Sequence, residues 1–336
     1  MYIVLAIIAF SLLIIIHELG HFMLARINNV KVKEFSIGMG PKIIGFKGKE
    51  TEYLIKALPI GGYVKMHGEE EETSDERGFL SKSPLQRISI VAAGAIMNYL
   101  LAIVLLTLIT VNFGYTLNTL KDVSPNSPAA SAGLKAGDEL LKVNGKKMYT
   151  KDDLVFQIAS SKDEPINLQY KRANNIYNVN VTPTKGSDGR YIIGVTHEFI
   201  QNPNIIESIR YSFKETVALV TQTFSSLKTL VTGKANFKTD VGGPVTIVKM
   251  TGTAAKAGIW TLIWFTAFLS IQLAVFNLLP FPALDGGWVL ILLIELITRR
   301  KIPDKFIGAL NYFGLALLMI LMFLVTVKDI LFPVKF

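Results

Sequence analysis

The sequence predicts a multi-pass α-helical membrane protein with about four transmembrane helices, a small β-hairpin sheet at the membrane, and one separate α+β domain in water. Three observations predict it. Apolar stretches near the roughly 20 residues that a bilayer core requires occur at residues 1–27, 88–112, 259–298 and 306–330. Residues 113–200 depart from that pattern, with short alternating runs and frequent turn residues. The composition agrees: 50% of the 336 residues are hydrophobic and the mean hydropathy is +0.40, too high for an ordinary soluble enzyme. With no cysteine, disulfides and thiolate metal sites are excluded, so any metal must use His, Asp or Glu. The net charge of +9 comes with no nucleic-acid motif. No nucleic-acid partner is therefore expected, and the charge fits loops beside anionic lipid.

The first span lacks a basic leader and a small-residue cleavage site, so it reads as a retained anchor. Inside it lies His17-Glu18-Leu19-Gly20-His21. Histidines four apart on a helix share one face, about 6 Å apart along the axis, which suits two ligands of one zinc ion. Glu18 beside them supplies a general base. Ionisable groups at mid-bilayer cost about 2–3 kcal/mol each, and a bound metal would offset that cost.

Residues 28–87 form the first connection. Val30, Val32, Phe35 and Ile37 roughly alternate with polar residues, and Tyr53 to Leu58 and Tyr63 to Met66 add two short strand candidates. Gly38, Gly40-Pro41, Gly45, Gly48 and Gly61-Gly62 punctuate them, which predicts a small membrane-associated hairpin sheet. Glu69 to Glu72 reads as a solvated acidic tip. This connection carries eight lysines from Lys31 to Lys82, and the last inter-span loop carries Arg299, Arg300, Lys301 and Lys305. With four spans both loops fall on one side, which the basic bias makes cytoplasmic. Residues 113–200 then face outward.

Within 113–200, Ser127-Pro128-Ala129-Ala130, Ala132-Gly133-Leu134, Gly137-Asp138-Glu139-Leu140-Leu141 and Val143-Asn144-Gly145 follow in close order. This series resembles the PDZ signature. Gly133 and Gly137 suit tight turns, and Asn144-Gly145 suits a hairpin. Asp153 to Ala159 reads as the groove-lining helix. Tyr191-Ile192-Ile193-Gly194-Val195 resembles the peptide-binding loop of a circularly permuted PDZ domain, which makes Ile193 and Gly194 candidates for capturing peptide termini. Residues 201–258 read as amphipathic or interfacial helices. There Ile206, Ile209, Phe213, Val217, Val220, Phe224 and Leu227 recur at helical spacing, expected either in the outer membrane interface or packed on the PDZ-like domain.

The third span is broken by Pro280 and Pro282 before Leu284-Asp285-Gly286-Gly287. Irregular backbone at membrane depth is tolerated only where protein or a wet cavity surrounds it. Asp285 is a candidate third metal ligand, and it also suits an N-cap of the next helix. His17 and His21 lie roughly 20–27 Å along the first span from its outer end, and Asp285 near the inner end of the third, so depth supports ligation.

His-Glu-x-x-His in the first span, together with Asn277-x-x-Pro280-x-Pro282-x-Leu284-Asp285-Gly286 in the third, is similar to the site-2 protease family of intramembrane zinc metalloproteases. The bacterial regulator of sigma-E protease group is the nearest likeness, and it extends over nearly the whole chain, including the phrase Lys82-Ser83-Pro84 with Gln86-Arg87. The resemblance implies zinc (Zn2+) held by His17, His21 and Asp285, and Glu18 as general acid/base. It implies that the hairpin region around Gly38 and Gly40 pairs with unwound substrate and that Asn277 helps hold it. With Gly94, Asn98 matches the family's Gly-x-x-x-Asn and is a further substrate-binding candidate, although Ala95 stands where a proline is usual. Only one PDZ-like domain fits before Asn202, where some members carry two.

The expected activity is therefore cleavage within the transmembrane segment of single-span membrane proteins in the bacterial cytoplasmic membrane. The active site is expected near the cytoplasmic side and the PDZ-like domain outside the cytoplasm. Substrates of the expected kind include an anti-sigma factor or a signal-peptide remnant. The alternative is a catalytically inactive, membrane-tethered PDZ adaptor, which would not need His17, His21 or Asp285.

Overall fold

The computed structural model describes residues 2–69, 73–161, 163–233, 236–237 and 241–333. Of the acidic tip, Glu70 to Glu72 lie outside the described residues. The chain forms two compact units, Met1–Ala102 with Lys228–Phe336, and Ile103–Leu227. Among the described residues, four helices are long and apolar enough to cross a membrane: Val4–Ile27, Pro84–Phe113, Ile259–Asn277 and Lys305–Leu331.

The first unit begins with α1 (Tyr2–Ile27), whose unbroken apolar run leaves no residue to stop the helix before Asn29 turns left-handed (φ 54°). Two long strands follow, β1 (Val32–Lys47) and β2 (Glu52–Met66). The sequence suggested three short strands ended by glycines. Instead the glycines lie inside the strands, where positive φ at Gly38, Gly40 and Gly61 bends them without ending them. Residues 34–37 pair on one side with 62–65 and on the other with 52–55, while 42–47 pair with 52–56. The folded-back pair thus presents four short segments side by side. Phe35, Val64 and Met66 pack into a core with Ala25, Ile90 and Leu292, whereas Ile43, Ile44, Phe46, Ile55 and Leu58 remain exposed.

Ser83 and Gln86 start α2 (Pro84–Phe113) with a reciprocal cap: Ser83 N–H donates to Gln86 Oε1 (3.1 Å) and Gln86 N–H to Ser83 Oγ (3.4 Å). Later in the chain come α6 (Pro244–Ala257), α7 (Ile259–Asn277), α8 (Asp285–Thr298) and α9 (Asp304–Leu331). α6 packs against α1, α7 and α9. The buried Asp329 of α9 accepts from Gly243 N–H and Thr246 N–H, capping α6 from a neighbouring helix.

In the second unit, β3 (Tyr115–Val123), the single turn α3 (Pro128–Ser131), β4 (Glu139–Val143), β5 (Lys146–Lys147), α4 (Lys151–Ser161), β6 (Ile166–Arg172), β7 (Asn175–Val181), β8 (Thr184–Lys185), β9 (Tyr191–Ile192) and β10 (Val195–Ile200) follow in the order expected of the PDZ-like domain. The main sheet is antiparallel with order β10-β3-β4-β6-β7. Leu120, Leu140, Val143, Leu154, Ile166, Leu168 and Ile193 fill its core. Asn144 (φ 49°) and Gly145 (φ 76°) make the predicted hairpin turn. Next, α5 (Ile205–Val231) hydrogen-bonds to this domain through Gln222 to Asp153 (3.0 Å) and Lys146 to Ser225 (2.8 Å). It buries Ser208, Ser212, Glu215, Thr216 and Thr223 and exposes Ile206, Ile209, Phe213 and Phe224. Its buried side joins these polar residues with Ala218 and Leu219, while several of its large apolar residues face outward.

Candidate metal centre

One turn of α1 brings His17 and His21 together, with their Nε2 atoms 3.2 Å apart. Two glycines make room for them. A Cβ on Gly20 would stand 2.4 Å from the Ala93 carbonyl oxygen, so α1 and α2 approach closely here. A Cβ on Gly94 would stand 2.5 Å from His21 Nε2 and 2.7 Å from His17 Nε2. The outer nitrogens are held by α2: His21 Nδ1 lies 2.9 Å from the Ile90 carbonyl oxygen, and His17 Nδ1 lies 3.3 Å from Asn98 Nδ2. A ring that donates Nδ1–H to a carbonyl keeps its Nε2 lone pair for a metal.

The broken third span delivers the carboxylate. After Asn277 the chain turns back, with Ala283 left-handed (φ 70°) and its N–H bonded to Asn311 Oδ1 (3.3 Å). Gly286 and Gly287 admit this loop, since a Cβ on them would meet the Leu279 and Phe281 carbonyl oxygens at 2.1 and 2.4 Å. Asp285 is the first residue of α8, and its side chain makes no cap; the N-cap is Leu284, with no side-chain cap bond. The capping alternative is thus corrected. Asp285 Oδ2 instead lies 3.2 Å from His17 Nε2 and 3.5 Å from His21 Nε2.

Zinc bonds of about 2.0–2.1 Å at tetrahedral angles place ligand atoms about 3.3 Å apart. The three donor atoms here are spaced 3.2, 3.2 and 3.5 Å. Asp285 Oδ2 is buried with no hydrogen-bond partner, which a cation would satisfy. The residues fit the metal.

Other predicted positions fare differently. Asn277 ends α7 with its Nδ2 3.5 Å from His17 Nε2. Asn98, expected to touch substrate, is fully buried behind His17. Gly38 and Gly40 meet Leu58 of their own sheet as nearest neighbour, while Gly62 comes against the catalytic candidate: a Cβ there would stand 3.1 Å from Glu18 Cγ. Ile193 is 2% exposed, so its side chain packs the core and cannot line a peptide groove; Gly194 is left-handed (φ 79°) against Ser127. Sequence reasoning named Gly62 and Gly94 but missed their part in the site, which arises from what other segments bring against them.

The sequence matches peptidase family M50 over residues 5–321. The chain belongs to peptidase family M50. It is 52% identical over 334 residues to a protein of Clostridium perfringens named as a zinc metalloprotease, covering 99% of this chain and 100% of that one. A similarly named protein of Clostridium acetobutylicum is 50% identical over 335 residues, covering 99% of this chain and 98% of that one. The regulator of sigma-W protease RasP of Bacillus subtilis is 33% identical over 410 residues, covering 96% of this chain and 97% of that one. This M50 protein is accordingly a site-2 metalloprotease that uses zinc, and its four apolar helices fit a bacterial membrane protein.

Proposed function

We propose that this M50 protein hydrolyses a peptide bond inside the transmembrane segment of single-span membrane proteins, with His17, His21 and Asp285 holding the zinc and Glu18 moving the proton. The observation that carries this reading is the convergence of two imidazole nitrogens on an otherwise unpartnered Asp285 oxygen. Bound zinc would supply Lewis-acid chemistry, activating water and polarising a carbonyl. Glu18 takes a proton from the attacking water and gives it to the leaving amide nitrogen, so that one acid and one amine result.

A transmembrane helix bonds its own carbonyls and must unwind before one can react. The segment 62–66 pairs with 32–37 on one side only among the described residues, and its Gly62 lies against Glu18. An extended substrate strand added to that edge would pass beside the general base, with Asn277 holding it. The exposed Ile43, Ile44, Phe46 and Leu58 suit a sheet immersed at the bilayer's cytoplasmic side, and the outward stripe Ile206, Ile209, Phe213 and Phe224 of α5 suits the opposite interface. Outside the cytoplasm, the edge of β10 that is unpaired among the described residues offers strand addition to a peptide, by which the PDZ-like domain would screen substrates. An anti-sigma factor or a signal-peptide remnant is a substrate of the right class.

Reconstituted in vesicles with a single-span reporter, Glu18→Gln should keep stoichiometric zinc and lose about 10²–10⁴-fold in cleavage. Cleavage at the parental rate would sink the assignment. A parental protein without stoichiometric zinc would favour the adaptor.

A further inference from the structure

Four residues of α2 lie three, four and four apart: Arg87, Ile90, Gly94 and Asn98. Residues at that spacing share one helical face. Each bears on a ligand of the metal centre. The Ile90 carbonyl meets His21 Nδ1 at 2.9 Å. Gly94 gives both imidazoles their space. Asn98 meets His17 Nδ1 at 3.3 Å. Arg87 reaches α8, where its Nη2 lies 2.6 Å from Glu295 Oε2, with both side chains buried.

We propose that this face of α2 sets the geometry of the zinc site, with Asn98 orienting His17 and the Arg87–Glu295 pair holding α8, and with it Asp285, in register. The inference rests on the zinc-ligand reading given above. A histidine that ligates through Nε2 carries its proton on Nδ1 and must donate it. Asn98 is fully buried, tied to α7 by Ser270 Oγ donating to its carbonyl (2.7 Å), and its Oδ1 has no partner. A half-turn of the amide exchanges its O and N, which makes the unpartnered Oδ1 the acceptor available to His17 Nδ1–H. Ile90 already serves His21 in the same way.

Asp285 has no such neighbour, and its position is inherited from its helix. Glu295 stands ten residues further along α8, about 15 Å away. Its second oxygen accepts from Ile302 N–H (3.1 Å), so the carboxylate fixes both the inner end of α8 and the start of the next loop. A sliding α8 would withdraw Asp285 from the histidines. Asn98 and Arg87 are positioning residues, acting on ligands and not on substrate.

Zinc dissociation constants of the full-length protein, measured by chelator competition, test this. Metal-ligand supports typically change affinity 10–100-fold. Asn98→Leu and Arg87→Met should each weaken zinc by that factor, while Asn98→Asp, which keeps an acceptor, and Arg87→Lys, which keeps a charged donor, should stay within about threefold of the parent. X-ray absorption of the zinc-loaded Arg87→Met protein should show one light-atom ligand fewer from protein. The proposal is overturned if Asn98→Leu and Arg87→Met bind zinc as the parent does, or if the conservative variants are as weak as the drastic ones. Zinc affinity that stays at the parental value in His17→Ala would instead overturn the ligand assignment itself.

Discussion

Asp138 in the PDZ-like unit is fully buried and Asp285 in the membrane-spanning unit is half-buried with its Oδ2 shielded, and their oxygens are treated differently. Asp138 accepts from Lys135 N–H (2.8 Å), Arg172 Nε (2.6 Å) and Arg172 Nη2 (2.7 Å), so both oxygens are engaged. Asp285 points an oxygen without any donor toward two imidazole nitrogens. A buried carboxylate with every lone pair answered by the protein holds a fold together. One left open beside other metal-binding atoms stores an unmet requirement, and that requirement is the site.

The contrast is broken most directly by neutralising each carboxylate in turn. Asp285→Asn should lose zinc affinity on the order of 10³-fold, since one anionic ligand becomes a poor one. The metal-free protein should unfold as the parent does. Asp138→Asn should do the reverse, leaving zinc affinity unchanged. It should destabilise the PDZ-like domain by about 3 kcal/mol, because a bidentate pair is removed and Arg172 left without its counter-ion. Chelator competition and hydrogen exchange on the two proteins read both effects. An Asp138→Asn protein with weakened zinc would show that satisfied and unsatisfied carboxylates are not separable as argued.

A smaller effect belongs to Gly94. An alanine there places its Cβ within 2.7 Å of both imidazoles, which cannot retreat without leaving the metal position. Zinc affinity should fall about 10–100-fold in Gly94→Ala, as for other residues that support ligands. Gly252, where a Cβ meets nothing within 4 Å, is the control: Gly252→Ala should leave zinc affinity untouched.

These residues also mark what could be read before folding. The His17–His21 spacing was legible because both ligands come from one helix, whose periodicity alone puts them together. Asp285 was half legible: an Asp before Gly-Gly at a helix start looks the same whether it caps or ligates, and only the approach of α1 decides. Gly62 read only as punctuation and Gly94 only as part of a motif, since a glycine's close contacts become necessary only when a second segment crosses it. The hairpin glycines misled for a related reason, because positive φ can bend a strand as well as end it. In α5 the periodicity was plain but its inward side was not. An apolar stripe ordinarily faces protein, and a chain with lipid as a second apolar medium can turn it out and bury hydroxyls instead.

That inversion leaves Glu215 buried among the PDZ-like unit's own charges, and here the expected effect is smallest. Burial first, and then the Asp152 carboxylate, push Glu215 up from 4.5 to about 7, against opposing contributions from Thr150, Lys151 and Tyr211. A carboxyl whose folded value is raised is bound more tightly by its proton in the folded state. Its stabilising contribution is therefore complete below about pH 4.5 and is lost as the pH climbs through about 7. The contact between α5 and the PDZ-like domain should weaken by about 1–2 kcal/mol between pH 5 and pH 8, seen as faster hydrogen exchange along Ser212 to Thr223 after correction for the intrinsic rate. Glu215→Gln, which cannot ionise, should remove that dependence while the exchange of the Leu120 and Leu168 core stays level across the same range. A pH dependence that persists in Glu215→Gln would move its origin to another group of the unit, and not to His197, whose imidazole burial pulls below the ordinary value, so that its contribution grows as the pH rises.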